Sequence, residues 1–234
     1  MGAAIPPLNH IFASESSPGL LPKQCARLAV MLAFGCCVSS EAKVAAWVRP
    51  FVGDRPCVEV TGSISLTRSY NYILNNYVGE PYDAVVLLHD DLEVTDPDAE
   101  AKILYALDDP DVGLVGVAGG EARNGLAWWS ANPVGHQMID TGLIDFGVRA
   151  GQVESIEGSF MVFSPRAVDK LRFDERYTGF HGYDDIGLEA GSQGFKVVVI
   201  DLDTHHHTVA GFKTPESEQA WVQADQMFRE KWGL

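Results

Sequence analysis

The sequence predicts an α/β protein, a single domain with a mostly parallel sheet flanked by helices. Three observations carry that prediction. Short apolar runs of strand length recur at 28–37, 57–61, 82–88 and 112–117. Stretches with apolar residues at helical spacing separate them. One run, Ala84-Val85-Val86-Leu87-Leu88, is apolar at every position, as in a strand covered on both faces. The order is β-α-β-α-β-α-β, the pattern of a doubly wound sheet.

Taken in order, residues 1–22 hold Pro6, Pro7, Pro18, Gly19 and Pro22, and read as an irregular arm before a domain spanning 23–234. Leu28 to Cys37 reads as the first strand. Lys23 and Arg27 ahead of this run give it a faint likeness to an export signal, but the run is too short to span a bilayer. A core strand is the simpler reading. Ser39-Ser40-Glu41 predicts a helix start, with Val44, Trp47, Val48 and Phe51 on one face. Ser65 predicts the cap of the next helix, where Leu66, Tyr70, Ile73, Leu74 and Tyr77 recur. Asp96-Pro97 predicts another, with Asp96 as N-cap. Residues 121–152 break the pattern with polar and glycine-rich segments around Trp128-Trp129. Val153 to Ser164 and Phe195 to Ile200 read as strands, His205-His206-His207 as a loop, and Thr214-Pro215 as the start of a C-terminal helix over 214–233.

Composition narrows the function. With 46% apolar residues, a sizeable core is expected. A formal charge of −15 argues against a nucleic-acid partner, which needs a basic footprint. It does not exclude a phosphorylated small molecule, because a divalent cation inverts the local sign of a carboxylate site. Cys25, Cys36, Cys37 and Cys57 show no CxxC spacing, so free thiols in the cytoplasm are expected, with no transmembrane segment.

The chemistry-bearing residues gather in four places. His89-Asp90-Asp91 ends the buried strand, where open α/β sheets place their ligands. Along a strand His89 and Asp91 share a face and Asp90 points away. The set suits a cation such as Mn2+ or Mg2+, or a solvated corner. His205-His206-His207 reads as a solvated loop or as a further imidazole for that cation. Asp184 and Asp185, after Tyr183, read as helix N-terminal charges or as a general base. In Glu157-Gly158-Ser159, the glycine marks a close ligand approach or a bulge. Trp128-Trp129 reads as a sugar-stacking platform or as a loop plug.

In their order and spacing these pieces resemble glycosyltransferases of the GT-A, Rossmann-like type, in the family-2-like bacterial group. The resemblance covers about 28–212. It rests on Ser69-Tyr70-Asn71, Leu88-His89-Asp90-Asp91, Gly116-Val117-Ala118-Gly119-Gly120, Glu157-Gly158-Ser159-Phe160-Met161, Gly179-Phe180-His181-Gly182-Tyr183-Asp184-Asp185, Gly194 to Val199 and a closing histidine. It implies a hexosyltransferase-like enzyme with a nucleotide-diphosphate sugar donor, a divalent metal, a glycan or other hydroxyl acceptor, and inversion at the anomeric carbon as the acceptor hydroxyl, deprotonated by the base, attacks it. It implies a nucleotide-binding half over about 23–120 and an acceptor half over about 121–212.

By the same resemblance Asp91 matches the last acid of the family's Asp-any-Asp motif, and His89 stands in place of the first. One of His205 to His207, with His205 and His207 named first, offers the late metal-binding histidine, and Asp185, or else Asp184, the base. Ser39, Ser40, Asn71, Asp90, Gly119 and Gly158 are expected at the donor. Trp128, Trp129, His181 and Tyr183 are expected at the acceptor. Two other readings stay open: a non-catalytic nucleotide-sugar or sugar-binding module, and a sugar nucleotidyltransferase, which Cys36-Cys37-Val38-Ser39-Ser40 disfavours because a glycine-rich phosphate loop is missing there. An acidic calcium-binding protein is a third. The sugar, the base, the acceptor and any homodimer are left open.

Overall fold

A computed structural model describes residues 31–62, 65–123, 127–178, 180–208 and 214–234. The arm over 1–22 lies outside the described residues. The strands are β1 (Leu32–Val38), β2 (Cys57–Thr61), β3 (Ala84–His89), β4 (Leu92–Val94), β5 (Val112–Gly116), β6 (Ala118–Gly120), β7 (Val134–Ile139), β8 (Gly142–Asp145), β9 (Gly151–Val153), β10 (Ser155–Ile156), β11 (Phe160–Phe163), β12 (Lys196–Val199) and β13 (Thr204–His206). The helices are α1 (Glu41–Lys43, then a π-helical Val44–Val48, then Arg49–Val52), α2 (Leu66–Asn75), α3 (Ala99–Leu107), α4 (Pro165–Lys170), α5 (Gly182–Ser192) and α6 (Pro215–Trp232).

The main sheet has the order β2-β1-β3-β11-β5-β12-β9. Strands β2, β1, β3, β5 and β12 run the same way, and β11 and β9 run against them. Alternation along β3 sets the two cores. Val85 and Leu87 pack with Tyr70, Ile73 and Leu74 of α2. Val86 and Leu88 pack with Val44 and Val48 of α1 and Ile103 of α3. Each fully buried aliphatic side chain contributes about 1.5–3 kcal/mol. His89, next on the Leu87 face, is thereby aimed toward the α2 and α5 side.

The sequence expectations hold for the first four strands of the parallel set and their helices. Ser65 caps α2, its Oγ accepting from the Arg68 N–H at 3.4 Å. Thr214 caps α6 by accepting from the Ser217 N–H at 3.2 Å. In α1 the Arg49 N–H bonds back five residues to Val44 O, and Pro50 has no N–H to restore the regular ladder. Helix α3 begins later than expected. Asp96 does not cap it but accepts from the Asp98 N–H at 2.9 Å and from Lys102 Nζ at 2.6 Å.

Three expectations are corrected. Residues 153–164 are not one strand. Val153 pairs with β12, Ser155 crosses to pair with Gly120 of β6, and the chain turns at Gly158 before β11. The turn exists because the Tyr183 ring packs on Gly158, where a Cβ would lie 2.1 Å from it. Residues 121–152 are not merely irregular, since they supply β7, β8 and β9. His205 and His206 are not in a loop but in β13. These pieces build a second sheet, β10-β6-β7-β13-β4, with β8 on β7. Its strands are short and polar, and they pair across long sequence separations, so no run of apolar residues announces them.

Candidate active site

The end of β3 and the edge of β13 meet. β13 pairs with β4, placing His206 opposite Leu92 and His205 opposite Glu93. The His207 N–H extends the pairing by donating to Asp91 O at 2.7 Å. His206 Nε2 lies 3.2 Å from Asp91 Oδ1, and His89 Nδ1 lies 4.0 Å from the same oxygen. His89, Asp91 and His206 each offer a ligand atom within 4.8 Å of the others'. In the sequence the choice among His205, His206 and His207 is open, with His205 and His207 named first for this centre. Strand alternation turns both to the opposite face of β13 and brings His206 instead.

Charge and hydrogen bonds shape the cluster. Burial alone would raise the pKa of Asp91. The hydrogen bond and charge of His206, with His89 and Lys43, outweigh it and hold the carboxyl well below its ordinary range. Burial lowers the pKa of His89, and His206 adds to this against the charges of Glu157 and Asp91. The imidazole is thus kept neutral, the form that ligates a metal. His89 Nε2 is 3.0 Å from Tyr183 Oη. Burial and the charge of Glu157 keep the Tyr183 phenol well above its ordinary pKa, so it remains protonated. Tyr183 therefore serves the histidine.

Asp90 points the other way, as alternation requires. Its Oδ2 accepts from Ser39 N–H at 2.6 Å, Ser39 Oγ–H at 2.6 Å and Ser40 N–H at 2.9 Å. It pins the loop after β1. Lys43 Nζ reaches Asp91 Oδ2 at 3.2 Å.

Two cavities flank the cluster. One, of about 450 Å³, is lined by Ser39, Ser65, His89, Asp90 and Asp91 among others. The second, of about 620 Å³, is predominantly apolar and is lined by Trp128, Trp129, Ile144, Phe146, Glu157 and His206 among others. The triad thus contributes to the walls of both.

The Asp184-Asp185 pair lies at the first turn of α5. Asp184 Oδ1 accepts from Ser155 Oγ–H at 2.6 Å and from the Trp128 N–H at 3.2 Å, and Oδ2 lies 3.0 Å from His181 Nδ1. Asp185 faces α6, accepting from Lys231 Nζ at 2.8 Å and Trp232 Nε1–H at 2.9 Å. Burial raises the Asp185 pKa, while Lys231 and Trp232 act against it.

Several expected site residues are committed to the frame. Asn71 donates to Phe173 O at 2.9 Å and accepts from the Phe173 N–H at 2.8 Å. His181 takes φ 60° at the start of α5 and stacks on Phe228 of α6, with ring centroids 5.1 Å apart. A left-handed non-glycine residue costs about 1–2 kcal/mol, which that burial offsets. Gly119 allows β6 to approach β10, since a Cβ there would meet Ser155 O at 2.3 Å. Gly158 makes room for Tyr183.

The sequence reading did not assign Lys43 or Glu157 to the site. Glu157 Oε2 accepts from the Ser159 N–H at 2.8 Å and from its hydroxyl. The signal for Glu157 was its place before Gly158, and for Lys43 its place in the turn after Ser39-Ser40.

A main sheet of five parallel strands out of seven, with a second small sheet across its carboxyl edge and a His-Asp cluster between two cavities, is the architecture of the GT-A fold. GalNAc-T7, solved with UDP, GalNAc and Mn2+, superposes with a TM-score of 0.58 at 7% identity, covering 84% of this chain and 48% of that one. The mannosyltransferase PcManGT of Pyrobaculum calidifontis, solved with GDP-Man and Mn2+, gives 0.52 at 11% identity, covering 85% and 70%. The model of a glycosyltransferase-like family matches residues 54–231, and the chain belongs to that family. A curated relative, the streptomycin biosynthesis protein StrF of Streptomyces griseus, is 27% identical over 164 residues. That match takes in 67% of this chain, which spans 58% of the relative's length. Among the described residues no helix is long and apolar enough to cross a membrane.

Proposed function

We propose that the chain transfers a hexosyl unit, with inversion and with a bound divalent metal, from a nucleoside-diphosphate sugar to an acceptor hydroxyl. The observation that carries this is a His-Asp cluster shared between two cavities, with His89 and Asp91 on the wall of the polar one and His206 on the wall of the apolar one. Two imidazoles and one carboxylate fit Mn2+ better than Mg2+, which prefers oxygen alone. The family resemblance and the Mn2+ complexes of the two structural neighbours support the same assignment.

When bound, the metal neutralises the donor diphosphate and the charge that grows on it as it leaves. The chain's own residues do the rest. Lys43 adds a cation beside Asp91. Asp90 holds Ser39 and Ser40 at the rim of the polar cavity, where the nucleotide is placed. Tyr183 accepts the Nε2–H of His89, which leaves Nδ1 free toward Asp91. Trp128 and Trp129 offer ring faces to the acceptor. Of the two adjacent acids, Asp184 is the base, because it bonds the backbone of Trp128 on the acceptor wall while Asp185 is held by α6. The acceptor oxygen bonds to the anomeric carbon as the carbon–phosphate oxygen bond breaks, the diphosphate leaves with the electron pair, and the hydroxyl proton passes to Asp184.

The test is a panel of nucleoside-diphosphate sugars and acceptors with Mn2+, read by released nucleoside diphosphate and glycosylated product. Product formation supports the proposal. Binding of donor without turnover across the panel indicates a non-catalytic module. Stabilisation by calcium with no nucleotide effect overturns the proposal altogether.

A further inference from the structure

We propose a second transition-metal site on the reverse face of β13, formed by Glu93, His205 and His207, with Asp140 as a fourth donor. The pairing of β13 with β4 sets Glu93 directly across from His205, and His207 follows on the same face. Their ligand atoms lie within 4.8 Å of one another. His207 Nε2 is 3.0 Å from Glu93 Oε2. Asp140 Oδ1 is 3.3 Å from His205 Nε2 and 3.7 Å from His207 Nδ1.

A further observation points to a cation. His205 Nε2 is shut off from solvent and, among the described residues, makes no hydrogen bond of acceptable geometry, although Asp140 is close. The rings of His205 and His207 stack at 3.9 Å, and His207 stacks in turn on Trp47 at 4.0 Å, so one ring turns out of the stack for both to reach one ion. Two imidazoles and two carboxylates suit a borderline divalent ion such as Zn2+.

The two faces of β13 then differ in kind. His206 belongs to a cluster open on two cavities, where positions remain for substrate. His205 and His207 belong to a cluster of three donors, with Asp140 proposed as the fourth, the number that closes a structural metal site. An ion there ties β13 to β4 and to the turn after β7, and thereby holds His206 in place.

The experiment uses the full chain without any purification tag, stripped by chelator and titrated with Zn2+ in the absence of nucleotide. The readouts are bound metal per chain and, with Co2+ as substitute, the visible absorption of the bound ion. Circular dichroism confirms that each variant is folded, and Glu93→Gln keeps the side-chain shape should His205→Ala fail to fold. The proposal expects one equivalent that is lost in Glu93→Gln and in His205→Ala and kept in His206→Ala. If no equivalent behaves this way, the second site does not exist. Because no sugar is involved, this result is independent of the transfer activity.

Discussion

The molecule carries two pairs of adjacent aspartates, and the fold treats them differently. At the end of β3, Asp90 is consumed by Ser39 and Ser40, while Asp91 opens on a cavity with its side chain 17% exposed. At the head of α5, both acids are covered, Asp184 at 5% and Asp185 at 2%. A strand turns successive side chains to opposite faces, so one of its pair must leave the frame. A helix turns them by about 100°, so both can be held by different neighbours. The first pair is balanced by imidazoles and a lysine at a cavity wall, which suits a cation and an anionic ligand. The second is balanced unequally: Lys231 and Trp232 of α6 tie Asp185 to the frame, whereas Asp184, beside Ser155 and His181, also accepts from the Trp128 N–H on the acceptor wall.

The sharpest way to break this contrast is Asp91→Asn. We expect turnover to fall about 10²–10³-fold and Mn2+-dependent binding of donor to be lost. Steady-state assays over a range of Mn2+ concentrations check it. Asp184→Asn should lower kcat about 10²-fold or more while donor binding persists, as for loss of a base. Calorimetry with donor beside the kinetic assay separates the two effects.

Asp185→Asn should leave kcat within about threefold but cost about 1–3 kcal/mol of stability, because Lys231 loses its buried partner. Denaturant unfolding measures it. A loss of activity equal to that of Asp184→Asn would erase the distinction between the neighbours. The smallest effect is on pH. Asp174, which shares Lys231 with Asp185 at 3.4 Å, has its pKa lowered to about 2, chiefly by its hydrogen bond to Arg176 against burial. A depressed carboxyl stabilises the fold above its unfolded pKa of about 3.9 and ceases to do so as pH falls through the folded value. The stability gap between wild type and Asp174→Asn should therefore shrink between about pH 4 and pH 2, by about 2 kcal/mol at most.

These contrasts show what the chain discloses before folding. The run 84–88 and its terminal acids were legible because a parallel central strand needs apolar residues on both faces and a ligand crevice lies at its end. The alternation that separates Asp90 from Asp91 was legible for the same reason. The choice of His206 over its neighbours was not, because it depends on the register of β13 against β4, which three identical residues cannot encode. Asn71, His181 and Gly158 look like ligand contacts in sequence, yet each is used by a distant element: residue 173, α6 and Tyr183. The GT-A fold was legible from the order of the pieces, whereas the second sheet was not, since its short polar strands carry no periodic signal.

The central claim is that Asp91, with His89 and His206, holds the metal that binds the donor. The most direct measurement is calorimetric titration of a nucleoside-diphosphate sugar into wild type and Asp91→Asn, each with Mn2+ and with chelator. The account predicts binding to the wild type that requires Mn2+, and none to Asp91→Asn. Equal binding by both proteins, or binding by the wild type that ignores Mn2+, would contradict it.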